Sequence, residues 1–369
     1  MINGVYENLA KIVIHYSLSV QKGQRVLIMA TDVAKDLIQA LYIGLLKAGA
    51  HPFTLIDLED LQTLFYKHAS PEQLQYVDNA NKMIMKEFDH LIQIKAEYNT
   101  QRLANIDPKR IMMRQGSQEM KNLRKIMQER ERNGEFNWNI VPFPCQSLAQ
   151  DAKMDLFSYT DFLKKSLFLD KENPIDEWKK LKEEQERIIG ILNNYNQIVV
   201  IGEDTELTFS VEGRDWLNSW GNQNLPGGEV FTSPVEDSVN GQIKFTFPGL
   251  YMGKEVVNIF LEFKNGKVIN GTADKGQDLL NEILKVENAN VLGEFGIGTN
   301  YGITKYTRNM LFDEKMGGTL HCALGGGFQD AGSKNISAIH WDILKDMKPS
   351  NSQILADDEI IYEEGYWQI

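Results

Sequence analysis

Residues 25–57 read RVLIMATDVAKDLIQALYIGLLKAGAHPFTLID. Arg25 to Ala30 is a compact, mostly apolar run. Asp32 stands where a helix N-cap would, a helical stretch reaches Ala48, and Gly49 separates it from a second run, His51 to Asp57. A strand, a helix and a second strand in this order imply parallel strands joined by a right-handed crossover.

Working outward, Val5, Leu9, Ile12, Val13 and Tyr16 recur at helical spacing, so an amphipathic helix precedes this unit. Downstream, further strands are expected at His90 to Ala96 and Trp138 to Val141, with helices through Pro71 to Glu87 and Ser117 to Arg132. The expected fold class is therefore α/β, beginning with an open α/β domain. The turn after the first strand, Thr31-Asp32-Val33, has no glycine to admit a pyrophosphate, which argues against a nucleotide cofactor there.

Between Ser158 and Tyr195 the chain turns helical and charged. Pro174 marks a helix start, and Trp178, Leu181, Ile188, Ile189 and Leu192 form an apolar stripe. This segment reads as a bridge closing a first domain, residues 1–195. After Gln197 short β-like runs follow one another between Gly, Asn and Pro turns: Ile198 to Ile201, Glu206 to Val211, Gln242 to Phe247, Val256 to Phe263 and Lys267 to Ile269. Residues 196–369 are thus expected to form a β-rich α+β domain, with the acidic, aromatic segment Asp357 to Ile369 as a closing strand or tail.

The length of 369 residues suits about two domains at ~150 residues each. Against 39 Lys and Arg stand 51 Asp and Glu, a formal charge of −12 that repels polyanions and argues against nucleic acid as a partner. The two cysteines, Cys145 and Cys322, are far apart and offer neither a disulfide framework nor a paired metal knuckle. Glu7, Lys11 and His15 interrupt the apolar pattern a signal peptide would need, and no segment is long and apolar enough to span a bilayer. No membrane partner and a reducing cytoplasmic home are expected.

The single-segment signatures of zinc peptidases, nucleotide-binding loops and serine hydrolases are absent. Gly293 to Gly302, GEFGIGTNYG, imitates a dinucleotide fingerprint, but its third glycine falls one position late. Gly325-Gly326-Gly327 reads either as an anion-binding nest or as a tight turn.

His340 and Asp342 lie two apart, so on a strand they share a face and form a metal claw; for an isolated pair of this kind a surface contact is the commoner outcome. His321 sits among small residues in GTLHCALG, and Glu314 lies just upstream. Glu229 and Glu294 each follow glycine and precede apolar residues, which places them either at a solvated strand end or aimed inward at something positive. Together, Glu229, Glu294, Glu314, His321, His340 and Asp342 form an oxygen and nitrogen donor set without thiolates. Such a set suits two divalent ions of the Zn, Co or Mn type with open positions for water.

These residues carry a family resemblance. PGGEVFTSP (226–234), LGEFGIG (292–298), FDEKMGGTLHCALGGGF (312–328) and KNISAIHWD (334–342) occur in order over the C-terminal half and resemble the M29 family of metal-dependent aminopeptidases, of the thermophilic T and S types. The resemblance implies a catalytic second domain in which Glu229, Glu294, His321, His340 and Asp342 supply a dinuclear centre, with Glu294 as the bridge. Glu314 matches a further family carboxylate if a small gap is allowed. It also implies a homodimer; a first domain covering the site would favour short peptides, and metal coordination of the α-amine would require a free N-terminus. Where many members have tyrosine seven positions after the histidine, this chain has Phe328, which removes a phenol able to hydrogen-bond a tetrahedral oxyanion.

The activity expected is removal of the N-terminal residue through a metal-activated water, with Glu294 or Glu314 as proton shuttle. Two other readings use the same residues. One is a ring-cleaving dioxygenase like the 2,5-dihydroxypyridine enzymes, with Glu229, His321, His340 and Asp342 on a single Fe(II). The other is a metal-stabilised binding protein without catalysis, for which only Phe328 speaks.

Overall fold

The structure is a computed structural model and describes residues 4–369. The chain forms two compact units. One runs to Ile175 and includes Gly221–Leu225; the other comprises Asp176–Trp220 and Pro226–Ile369.

In the first unit β1 (Arg25–Thr31), β2 (His51–Asp57), β3 (His90–Lys95) and β4 (Asn137–Pro142) make a parallel sheet in the order β2-β1-β3-β4. Val26, Leu27 and Ile28 are all buried, as befits a central strand covered on both faces. The crossover helix α1 (Lys35–Lys47) buries Leu37, Ala40, Leu41 and Leu45, one stripe at helical spacing. The open α/β expectation holds.

Local details differ from the sequence reading. Asp32 does not cap α1: a 3-10 turn, Asp32–Ala34, intervenes, and the Asp32 carboxylate accepts a hydrogen bond from the Tyr98 hydroxyl at 3.0 Å. The stretch 71–87 is two helices, Pro71–Gln75 and Asn79–Glu87, because Asp78 accepts from the Ala80 N–H and starts the second one afresh. The N-terminal helix, Gly4–Lys11, continues as a π-helical turn, Ile12–Ser17, whose wider pitch buries Ile12, Val13 and Ile14 in succession.

The division between units also differs from a boundary at residue 195. The helix Pro174–Leu192 lies almost wholly in the second unit, because Ile188 and Leu192 join that unit's core. Gly221–Leu225 lies in the first, where Asn224 bridges to Ile140 beside β4 and the Asn139 amide donates to the carbonyls of Gly221 and Asn222.

The second unit is built on two large antiparallel sheets and also holds a two-stranded antiparallel ribbon, residues 249–251 with 254–256. The larger has eight strands in the order 267–272, 260–264, 240–244, 205–210, 197–202, 353–356, 359–363 and 366–367, so the acidic, aromatic C-terminal segment does close a sheet. The smaller contains β5 (Leu217–Ser219), β6 (Glu229–Thr232), β7 (Leu292–Gly298), β8 (Thr319–Gly325) and β9 (His340–Asp346), in the order β9-β8-β7-β6-β5. Its core side packs Phe295 against Phe209, ring centroids 4.9 Å apart, and against Trp216. Among the described residues no helix is long and apolar enough to cross a membrane.

Candidate metal centre

Strand periodicity builds this site. Val230 on β6, Phe295 and Ile297 on β7, Leu320, Cys322 and Leu324 on β8, and Trp341 and Ile343 on β9 belong to the core. The alternating positions, Glu229, Glu294, His321, His340 and Asp342, therefore share the opposite face. Register brings them together: Gly296 lies opposite His321, Gly298 opposite Glu229, and Ala323 is flanked by Glu294 and Asp342.

One irregularity is decisive. Leu292 and Glu294 are two apart and would share a face on a regular strand, yet the register between them shifts at Gly293. This bulge leaves Leu292 in the core and turns Glu294 to the site. Glycine is required there, since a Cβ on residue 293 would collide with the carbonyl oxygens of Gly325 and Gly326. Gly296 is equally constrained, because a Cβ would overlap the His321 ring.

The resulting geometry is divided about Glu294. Its Oε1 lies 3.2 Å from His321 Nε2 and its Oε2 lies 3.1 Å from His340 Nε2. His321 Nε2 is also 3.5 Å from Glu229 Oε2, and His340 Nε2 is 3.4 Å from Asp342 Oδ1. Donor atoms of Glu229, Glu294 and His321 lie within 4.8 Å of one another, and so do those of Glu294, His340 and Asp342. The sequence-derived residues thus fall into two groups that share one glutamate.

His340 Nδ1 is 2.8 Å from the Gly326 carbonyl, which only an N–H can satisfy; that bond leaves Nε2 to face the carboxylates. Glu229 Oε2, Asp342 Oδ1 and His321 Nδ1 are buried without a hydrogen-bond partner. Buried, unsatisfied ligand atoms in an all oxygen and nitrogen set fit a divalent metal ion, which would replace the lost hydration.

Electrostatics point the same way. For His321 burial alone would favour the neutral ring, but Glu294, Glu229 and Asp342 outweigh it and push its pKa up to about 9. His340, also opposed by burial, is pushed up to about 12 by Asp342 and Glu294. Burial works to raise Glu294, and the two histidines overcome it and hold it below the usual carboxylate range. The carboxylates of this face thus stabilise positive charge beside them.

Glu314, expected in the ligand set, belongs to neither group. It ends the short helix Met310–Asp313, and its Oε1 is held by the Lys315 ammonium. Burial, reinforced by Glu229 and Asp342 and opposed by Lys315, moves its pKa up to about 8. Lys315 itself was not singled out from sequence: in DEKM it reads as one more solvated charge, yet its side chain is wholly buried and its Nζ is 3.2 Å from Glu229 Oε1.

Gly325-Gly326-Gly327 is a turn rather than an anion nest. Its three N–H groups donate to the carbonyls of Val291, Ile339 and Asn335. Phe328 follows it and stands edge-on to His340, ring centroids 5.5 Å apart, and to Phe231 at 5.0 Å. Cys322 points into the core, where burial raises its thiol pKa, and both cysteines are free.

Comparison with known proteins accords with this geometry. Aminopeptidase 2 of Geobacillus stearothermophilus is 26% identical over 408 residues, covering 98% of this chain and 97% of its own. Aminopeptidase T of Thermus thermophilus is 26% identical over 356 residues, covering 88% and 85%. Among solved structures, wild-type AmpT from Thermus thermophilus shares the fold at a TM-score of 0.85 with 21% identity over 100% of both chains. A 2,5-dihydroxypyridine dioxygenase from Pseudomonas putida KT2440 shares it at 0.57 with 12% identity, covering 98% and 96%. The family described as thermophilic metalloprotease (M29) matches residues 4–367, and the chain belongs to that family.

Proposed function

We propose that this protein is a metal-dependent aminopeptidase that removes the N-terminal residue of short peptides bearing a free amino terminus. Glu229, Glu294 and His321 would hold one divalent ion, and Glu294, His340 and Asp342 a second, of the Zn, Co or Mn type. The observation that carries this reading is Glu294, whose two oxygens approach two different histidines at 3.2 and 3.1 Å.

When bound, such ions lower the pKa of water and polarise a scissile carbonyl. The chain's own residues do the rest. His340 is oriented by the Gly326 carbonyl, so its Nε2 is fixed toward Glu294 and Asp342. Glu294 would belong to both ligand groups, which leaves proton transfer to Glu314. Burial raises the Glu314 pKa above the usual carboxylate range, which suits the group to holding and returning a proton. Phe328 offers an apolar wall beside His340 in place of a hydroxyl donor.

The homodimer implied by family resemblance, and a cytoplasmic home, belong to the same proposal. In the first unit Tyr42, Ile43 and Leu46 of α1, Phe53 and Ile56 of β2 and nearby Leu58, Leu61 and Leu64 expose apolar surface, which supports association. Light scattering on the purified chain checks it.

Release of leucine from Leu-p-nitroanilide by the Zn- or Co-loaded protein tests the activity. Oxygen uptake on a dihydroxypyridine with one bound iron would instead make it a dioxygenase. Metal binding without turnover on a peptide panel would make it a binding protein. The dioxygenase resemblance extends to the fold alone, whereas the matched family and the relatives of similar length are peptidases.

A further inference from the structure

Lys315 is a cation buried inside a face arranged to receive cations. Its side chain has no exposure, and its ammonium is shared between Glu229 Oε1, at 3.2 Å, and Glu314 Oε1. Its placement is fixed by the fold. The Asn300 N–H donates to the Lys315 carbonyl at 3.0 Å, and the Asn300 side chain donates to the Gly227 carbonyl at 3.1 Å, two residues before Glu229. One asparagine thereby ties the backbones of the lysine and of its partner glutamate.

Two consequences follow for the Glu229 and His321 end. Because Lys315 takes Oε1, Glu229 has only Oε2 to offer, the oxygen without a hydrogen-bond partner. A second positive charge arriving at that oxygen also meets the ammonium close by, in surroundings where water screens little. The other end differs: among the described residues no lysine or arginine forms an ion pair with Glu294, His340 or Asp342.

We propose that Lys315 is a positioning residue that makes the two ends of the cluster unequal, restricting Glu229 to one ligating oxygen and weakening divalent-cation binding there relative to the Glu294, His340 and Asp342 end. The enzyme then keeps one ion firmly while the other follows the free divalent-cation concentration, so that concentration sets the active fraction. This inference rests on the reading of the cluster as a two-ion site.

Calorimetric titration of the metal-free full chain with Zn²⁺ tests it, comparing the native protein with Lys315→Met, Lys315→Arg and Glu314→Gln. The native chain should bind two ions in steps separated by about 100-fold or more in Kd. Lys315→Met should tighten the weaker step and shrink that ratio by about 10-fold, while Lys315→Arg, which keeps the charge, preserves it. Glu314→Gln leaves the ammonium less compensated and should widen the ratio, so the idea stays testable if Lys315→Met does not fold. A ratio unchanged by both Lys315→Met and Glu314→Gln, with two ions still bound, overturns the role of the lysine. One ion at saturation in every variant overturns the two-ion reading together with it.

Discussion

The parallel sheet of the first unit and the five-stranded sheet of the second solve different problems with the same backbone. In the first, central strand β1 places Val26, Leu27 and Ile28 in succession under cover, and hydrophobic burial decides everything. In the second, one face holds Phe295, Leu320 and Trp341 in the core and the other carries three carboxylates and two imidazoles. Buried charges are retained only where they pair or bind something. The contrast separates residues kept for stability from residues kept for chemistry.

Substitutions can break that contrast, and the largest effect is expected at the charged face. Replacing His340 or Asp342 with alanine should cut peptide turnover by about 10³-fold or more and lower metal content by elemental analysis. Native metal content in both variants would remove them from the ligand set.

Gly296→Ala adds a methyl where the His321 ring lies, and should cost about 10²-fold in turnover by misplacing the imidazole. The matched change on β3, Ile92→Ala, should destabilise by about 2–5 kcal/mol in denaturant melts while folded protein retains its metal. Normal turnover by Gly296→Ala would mean the close approach does not hold the ring.

Phe328→Tyr should raise turnover by up to about 10²-fold if a phenol beside His340 can reach the oxyanion; an unchanged kcat would show that another donor already serves.

The smallest effect is on pH dependence. With His321 raised to about 9, its contribution to the stability of the metal-free fold is complete below the ordinary value of 6.5 and is lost as pH climbs through about 9. Metal ligation needs neutral rings, so loading at pH 7 should release protons and weaken as pH falls. Thermal melts of metal-free and loaded protein from about pH 6 to about pH 10 would show this decline only in the former.

Much of this was legible because it is periodic. The alternation in IHWD and TLHCALG already assigns His340, Asp342 and His321 to faces, and the apolar runs of β1 and β2 announce the parallel unit. What was hidden depends on partners distant in sequence. Nothing in LGEFG says that Gly293 bulges, because the bulge is set by pairing with β8. Lys315 looks solvated until Glu229, far upstream, is found beside it. The helix Pro174–Leu192 was recognisable as a helix, but its membership of the second unit is decided by the core that Ile188 and Leu192 enter.

Whether Glu294 serves two metal groups at once is decided by the number of Zn²⁺ ions retained per chain at saturation, measured by equilibrium dialysis and elemental analysis. Two ions are expected in the native protein, and loss of binding at both ends in Glu294→Ala. A single ion per native chain, or two ions still bound without Glu294, would contradict it.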